Sequence, residues 1–556
     1  MQKKMPIGVS DFKQLREKNY YFVDKTDFIR RLVDDHSAVT LITRPRRFGK
    51  TLTMSMLKYF FSIQQQSVSK PLFAGLAIER AGEKYQQERG QYPVIFLSLK
   101  DFSMNSWAEM LEGWRDFLAG LFLEHTVVRD AERVQPELIE RFQKIAEGKA
   151  DTVAMSSALA LLMRMMHQYY GRPVLVLIDE YDAPIQQAWS KGFYDPCITF
   201  LRQFLSSALK DNPDLDFAVL TGVLRVAKES IFSGLNNFDV CTVLGEAYAD
   251  VFGFTAEEVT KMAKDMQMES ALPDIQRWYD GYRFGRKDIY NPWSVVNFFR
   301  YHELADYWVN TSGNVIIQAL LRHDSREQDT ALLALLHGET VTAAIREGVI
   351  YEDIESDNDT LFTMLLTTGY LTTISKQRGI SGLICDLTIP NKEVRDVYRA
   401  EIIDRVKSGL SAAHLEKMMM DLLNGRAETF STGLSKYLRY YVSAFDAANK
   451  ESFYHGLLLG MTALLVPEYV VDSNRESGLG RFDLAIFPKD TKKVGVIMEF
   501  KAAAREDELE KKAQDALQQI EAKKYDTEFT KRGIKQVWRY GIAFYGKQVC
   551  VVKGND

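Results

Sequence analysis

The stretch Val39 to Thr51, VTLITRPRRFGKT, limits what this chain can fold into more than any other. A short β-branched and apolar run leads into a basic loop, then Gly49-Lys50-Thr51, then an amphipathic segment from Leu52 to Phe61. The order is strand, phosphate loop, helix. In such a loop the backbone N–H groups and the helix N-terminus face the phosphates. Lys50 would reach the β/γ-phosphates and the Thr51 hydroxyl would sit on Mg²⁺. The usual pattern has glycine five residues before Gly49, and here that position is Arg44. The loop reads Arg44-Pro45-Arg46-Arg47-Phe48-Gly49, and its arginines either lend side-chain donors to the phosphates or tie the loop down by ion pairs. Gly-Lys-Thr also occurs in surface turns, so the assignment depends on the downstream strands and their polar ends.

Three strand-like runs lie downstream. Tyr92 to Leu99, YPVIFLSL, is almost continuously apolar, as suits a strand buried on both faces of a parallel sheet. Val174 to Ile178 is apolar and ends in Asp179-Glu180. Buried strand-end carboxylates are costly unless a cation or donors face them. Asp179 is therefore expected to hold Mg²⁺, and Glu180 to polarise an attacking water. A strand capped by a solvated acidic turn is the alternative. Asp216 to Leu220 ends at Thr221, a candidate contact for the γ-phosphate or the water. Arg225 would neutralise transition-state charge or make a surface ion pair. Trp107 to Val127 and Ala154 to Tyr170 read as helices. NYYFVDKT (Asn19 to Thr26) leads into a helix over Asp27 to Val33, read as packing on the sheet in preference to a lip over a nucleotide base with Tyr20 or Tyr21 stacking.

The string YFVDKT (Tyr21 to Thr26), RPRRFGKT (Arg44 to Thr51), IDEYD (Ile178 to Asp182), Thr221-Gly222-Val223 and IFSGLNN (Ile231 to Asn237) resembles the bacterial AAA-ATPase-like family. WYDGYRFG (Trp278 to Gly285) and YNPWSVVNFF (Tyr290 to Phe299) resemble its next segment. The resemblance implies a P-loop nucleotide-binding domain in which the arginine-rich loop is a family feature. Arg46, Arg47, Gly49, Lys50, Thr51, Thr221 and Arg225 would then contact ATP.

From Thr255 the pattern is helical, beginning with a Thr255/Glu258 capping box. Trp278 to Asn291 reads as a connector packed by its own aromatics. Another helical stretch is expected from Trp308 to about His337. Asp359 to Thr368 reads as a helix, and Tyr370–Ser375 and Leu383–Ile389 as strands joined by a basic turn, Lys376-Gln377-Arg378-Gly379. That order suits either a winged-helix unit with a DNA-binding wing or a small packing domain.

The second chemical signal lies near the C-terminus. GRFDLAIF (Gly480 to Phe487) and VGVIMEFK (Val494 to Lys501) read as a hairpin. Alternation puts Glu499 and Lys501 on one face, with Asp483 opposite. Two carboxylates and a lysine at a sheet end suit Mg²⁺-dependent phosphodiester hydrolysis. A helix from Glu506 to Tyr525 comes next. This order resembles the PD-(D/E)XK nuclease superfamily. By that resemblance Glu451 matches the helix glutamate, Asp483 and Glu499-Lys501 the active-site core, and Gln519 with Tyr525 the trailing motif. Glu451, Asp483 and Glu499 are the metal candidates there.

The expected fold is α/β, with a P-loop domain at 1–245, a helical lid-type domain at 246–345, a helical or winged-helix region at 346–445 and a restriction-endonuclease-like domain at 446–556. The 556 residues suffice for about three or four domains. Net charge is −5 and pI about 6.0, so nucleic acid must be met by a local patch. The four cysteines have no metal-ligand spacing and read as buried thiols of a reducing compartment. The N-terminus lacks the apolar core of a signal peptide. The apolar run Leu457 to Val466 is far short of the roughly 20 residues a bilayer needs. A cytoplasmic protein with no membrane association is expected, with ATP and Mg²⁺ or Mn²⁺ as cofactors. Nucleic acid, DNA rather than RNA, and further copies of the chain are the expected partners. The function read from these features is ATP hydrolysis joined to a metal-dependent nuclease. The alternative is a nucleotide-controlled switch, scaffold or DNA-binding regulator whose nuclease-like domain is not catalytic.

Overall fold

The computed structural model describes residues 3–130, 132–226, 238–308, 331, 334–336, 338–346, 348, 358–379, 382–398, 412–441, 451–462, 465, 468–473, 476–477 and 480–554. The IFSGLNN stretch at 231–237 and most of the helical stretch expected after Trp308 lie outside them. The chain forms two compact units, one of Met1–Ser312 with Thr342–Glu393, the other of Gly313–Val341 with Val394–Asp556.

The first unit is built on five parallel strands. They are β1 (Val39–Thr43), β2 (Val94–Ser98), β3 (Val174–Asp179), β4 (Leu215–Gly222) and β5 (Phe238–Cys241). Their order is β2-β3-β4-β1-β5, with every neighbouring pair parallel. Parallel neighbours need long crossovers, and helices such as Trp107–Glu124, Ala158–Tyr170 and Tyr194–Leu209 supply the intervening chain. Every residue of β1 and of β3 is buried, which is why both read as unbroken apolar runs. The register pairs Ile42 with Thr221 and Ile178 with Leu220. The carboxyl ends of β1, β3 and β4 therefore come together, the place where open α/β sheets bind ligands.

The helical segment after the sheet packs its own cluster. Val259, Met262, Ile275, Tyr279, Val295 and Phe298 come from helices Ala256–Asp265, Leu272–Tyr279 and Pro292–Tyr301. The Thr255/Glu258 capping box forms as expected. Tyr21 packs against this cluster and its hydroxyl donates to Asp265 at 2.7 Å. The aromatic connector holds the short hairpin β6 (Tyr282–Phe284) and β7 (Lys287–Ile289). Tyr282 and Phe284 bring their rings 5.0 and 5.3 Å from Phe48 of the phosphate loop.

Three further strands are β8 (Val341–Ile345), β9 (Thr372–Gly379) and β10 (Gly382–Thr388), in the order β8-β10-β9. Helix Asn358–Thr368 precedes the antiparallel pair β9 and β10. The basic segment Lys376–Gly379, expected as the turn, is strand instead. Gly379 pairs with Gly382, so the ladder runs two residues short of closing and carries Lys376 and Arg378 on an extended edge.

The second unit is built on a mixed sheet. Its strands are β11 (Tyr469–Ser473), β14 (Leu484–Pro488), β15 (Gly495–Ala502), β16 (Val537–Tyr545) and β17 (Gln548–Lys553), neighbours in that order. The ribbon β12 (Glu476–Ser477) with β13 (Gly480–Arg481) lies between β11 and β14 in sequence. Only β15 and β16 pair in parallel, and helix Leu509–Lys523 lies in the crossover that joins them. One set of sheet residues packs with Ile520, Tyr525 and Phe529. Another set, including Met498, Tyr540 and Phe544, packs with Leu415, Phe430, Leu434 and Tyr454. The structure thus divides the chain differently from the expected ranges. Helices Ala412–Leu423 and Ala427–Tyr441, placed in a separate middle region, bury their apolar sides in the core of this sheet. Residues Thr342–Glu393 of that region belong instead to the first unit.

Helix Leu509–Lys523 lies so close to β16 that a Cβ on Gly541 would stand 2.0 Å from the Ala513 carbonyl oxygen. Gly541→Ala should destabilise the second unit by about 1–3 kcal/mol, read as a lower urea midpoint for that unit with an unchanged slope.

Candidate functional site

The first site forms at the carboxyl ends of β1, β3 and β4. Gly49 caps helix Lys50–Phe61 at φ +83°, and Arg47 takes φ +68°. Left-handed residues alternating along a loop are the backbone pattern of an anion-binding nest. A Cβ on Gly49 would meet nothing within 4 Å, so conformation and not crowding calls for glycine there. Lys50 is 4% exposed and its Nζ donates to the Arg44 and Pro45 carbonyls at 2.9 and 2.8 Å. Burial holds its ammonium below the ordinary value, opposed by the charges of Glu180, Asp179 and Asp182.

Asp179 is fully buried and joins the three strand ends. Thr51 Oγ1 donates to Asp179 Oδ2 at 2.7 Å, and Thr221 Oγ1 donates to Asp179 Oδ1 at 2.6 Å. Glu180 comes next at φ +54°, a costly conformation for a residue with a Cβ. Burial pushes its carboxyl above the ordinary range, with Lys50 opposing. The arrangement fits a magnesium-bound polyphosphate. The Thr51 hydroxyl and Asp179 carboxylate form a hard oxygen donor pair, Lys50 supplies a cation, and the helix N-terminus supplies N–H donors.

The loop arginines have separate surroundings. Arg44 is wholly buried. Its Nη1 donates to the Thr43 and Cys241 carbonyls, both at 2.8 Å, and its Nη2 to those of Ala247 and Tyr248 at 3.3 and 3.2 Å. Its guanidinium carbon lies 5.1 Å from the Phe284 ring centre, and burial lowers its pKa to about 10. Arg44 therefore shapes the loop from behind, by hydrogen bonds to carbonyls rather than ion pairs. Arg47 lies 4.5 Å over the Trp293 ring, and Arg46 Nη2 donates to Gln186 at 2.7 Å. Arg225 is half-buried in the turn after β4.

Sequence reasoning missed several residues here. Asp182 is buried and accepts from the Val223 and Leu224 N–H groups. Trp308 Nε1 donates to the Arg46 carbonyl at 3.1 Å, and its own N–H donates to Glu393 at 2.7 Å. Ser294 Oγ also donates to Glu393, at 2.8 Å. Glu393 has no exposed surface. Asp182 stands inside the IDEYD string, whereas nothing local marks Trp308 or Glu393.

In the second unit, the pairing of Leu484 with Met498 sets Asp483 level with Glu499 one step on. Asp483 Oδ2 accepts the Phe500 N–H at 2.7 Å. Glu499 is 3% exposed, and Lys501 Nζ stands 3.8 Å from its Oε1. Gln519 bridges the two, its amide N–H donating to Glu499 and its oxygen accepting from Lys501 at 2.7 Å. Gln519 also lies 3.4 Å from the Tyr525 hydroxyl. Buried His455, which no sequence pattern singles out, places Nε2 3.0 Å from the Asp483 carbonyl and 2.9 Å from Ser473 Oγ. Glu451 opens the helix Glu451–Thr462, but its side chain lies outside the described residues. The carboxylates of Asp483 and Glu499 at a buried sheet end fit a divalent cation by the chemistry of their donors.

Glu393 gives a prediction. Burial raises its carboxyl from the ordinary 4.5 to about 8. A raised carboxyl contributes stability that is full below the ordinary value and is lost as pH rises through the folded one. Between pH 5 and 8.5 the first unit should lose on the order of a few kcal/mol that Glu393→Gln retains. Urea titrations of both proteins at the two pH values measure this difference.

A family model described as a predicted AAA-ATPase matches residues 6–232, and one of the PD-(D/E)XK nuclease superfamily matches residues 449–554. An uncharacterized protein in the vnfD 5′ region of Azotobacter chroococcum mcd 1 is 30% identical over 399 residues, covering 71% of this chain and 69% of that one. With its arginine-shaped phosphate loop beneath Asp179 and its Asp483–Glu499–Lys501 sheet end, the chain belongs to the AAA-ATPase-like family and carries a C-terminal domain of the PD-(D/E)XK nuclease superfamily.

Proposed function

We propose that the protein binds and hydrolyses ATP with Mg²⁺, and that its C-terminal domain cleaves nucleic-acid phosphodiesters with Mg²⁺ or Mn²⁺. The observation that carries the first part is Asp179, held by Thr51 on one oxygen and Thr221 on the other. Lys50 and the helix N-terminus bind the phosphates. Glu180, whose burial raises its proton affinity, takes up the proton of the attacking water. Thr221 and Arg225 face the transferred phosphoryl group. Bound Mg²⁺ would neutralise phosphate charge at Thr51 and Asp179 and, in the second site, acidify a water at Asp483 and Glu499. Lys501, oriented by Gln519, stabilises charge developing on the scissile phosphate.

DNA is the favoured substrate. Exposed Arg378 on β9 offers a phosphate contact, whereas Lys376 Nζ donates to the Leu244 carbonyl at 2.6 Å. The proposal extends to a cytoplasmic location and to self-association, which size-exclusion chromatography with and without ATP tests. Among the described residues no helix is long and apolar enough to cross a membrane.

Two contacts favour a second reading, a nucleotide-controlled switch. Trp308 bonds the loop carbonyl of Arg46, and a Cβ on Gly369 would come 2.9 Å from Pro45. The phosphate loop is thus in touch with elements that could respond to its state.

Lys50→Ala should abolish ATP binding in isothermal titration, and undiminished affinity would overturn the P-loop reading. Cleavage of single- and double-stranded DNA and RNA, with and without ATP, tests the nuclease. Asp483→Ala and Lys501→Ala should each lower it by roughly 10²-fold or more. No cleavage by wild type in any metal, together with nucleotide-dependent oligomer size, would favour the switch.

A further inference from the structure

The roles given to Lys50, Asp179 and Glu180 leave Tyr181 and Asp182 unused, although both are buried beside those reacting groups. Asp182 is 5% exposed. Its Oδ2 accepts two backbone N–H groups, Val223 at 2.9 Å and Leu224 at 2.8 Å. Tyr181 has no exposed surface. Its hydroxyl donates to the Leu224 carbonyl at 2.7 Å and accepts the Val226 N–H at 3.2 Å. The Tyr181 N–H donates to the Thr221 carbonyl at 3.0 Å. These bonds join two consecutive residues of one strand end to the whole turn that succeeds its neighbour.

The turn lies beyond the β4 ladder, so its backbone groups need other partners. Side chains of residues 181–182 supply them for Val223, Leu224 and Val226. Two N–H groups converging on one side-chain oxygen fix the geometry of the turn, and an amide oxygen can accept the same pair. The approach leaves no spare room. A Cβ on Gly222 would stand 2.7 Å from both Asp182 Oδ1 and the Tyr181 ring. Arg225 sits between Leu224 and Val226, both of which are gripped. The gripping residues come directly after Asp179 and Glu180.

We propose that Tyr181 and Asp182 are positioning residues: they clamp the 223–226 turn to the Asp179-Glu180 strand end, so that Arg225 is presented to the γ-phosphate in fixed register with the metal- and water-binding carboxylates. The proposal rests on the ATPase reading. A clamp of this kind makes the turn and the strand end move as one body. It aligns the groups that meet only in the transition state, which is where small displacements are costly.

The test uses the full-length protein and three variants. Asp182→Asn keeps an oxygen that accepts the same two N–H groups. Asp182→Ala removes it. Tyr181→Phe keeps the ring and removes only the hydroxyl, so it remains informative if the alanine variant fails to fold. Steady-state ATP hydrolysis should show kcat lowered roughly tenfold in Asp182→Ala and Tyr181→Phe, with KM for ATP within about twofold and Asp182→Asn near wild type. Amide hydrogen exchange without nucleotide should rise at 223–226 in the same two variants, while β1 and β3 stay protected. Two outcomes overturn the clamp: unchanged exchange or kcat in Asp182→Ala and Tyr181→Phe, or Asp182→Asn as impaired as Asp182→Ala, which would assign the effect to charge. Wild type without ATP turnover overturns the ATPase reading and the proposal with it, and the nucleotide-free exchange distinguishes that failure from a missing clamp.

Discussion

A carboxylate at the end of a fully buried strand is the constraint on which the first unit depends. Removing a charge from water is costly, and Asp179 has hydroxyls on both of its oxygens in return. One hydroxyl comes from the first turn of the phosphate-loop helix and the other from the adjacent strand. A single side chain thus ties the end of β3 to that of β4 and to the helix that follows β1. The same contact that closes the sheet end also gathers the oxygen donors a divalent cation requires. Structure and chemistry are not separate tasks at this residue.

The second unit solves a similar problem by different means. Glu499 lies in a strand whose neighbours in sequence are buried, and it meets the Gln519 amide instead of a threonine hydroxyl. The amide is two-sided, so it also takes a proton donor from Lys501. One neutral side chain holds an anion and a cation at a set spacing, with the lysine ammonium 3.8 Å from the carboxylate.

Much of this was legible in the sequence, for reasons of period and locality. The parallel strands announced themselves as apolar runs because both faces are covered, and Asp483 and Glu499 came opposite each other because strand alternation fixes faces. The capping box at Thr255 is a three-residue affair and formed as read. The failures were longer in range. Helices Ala412–Leu423 and Ala427–Tyr441 carry ordinary amphipathic patterns, which report that a face is covered but not by what. The Lys376–Gly379 segment has turn-like composition, yet ladder pairing across Gly379 and Gly382 outweighed it. Trp308 and Glu393 contribute through tertiary contacts 85 residues apart, for which no spacing rule exists.

The arginine that replaces a loop glycine has one more consequence. A glycine-rich phosphate loop takes its shape from its own few residues. Here the loop leans on Arg44, and three of its four carbonyl partners stand 197 to 204 residues further along the chain. Closing so long a span carries an entropic cost that must be met before the loop is defined. During synthesis, this set of bonds cannot form until the ribosome has released residue 248. The chain's first chemical motif is therefore completed only some two hundred residues after it is made.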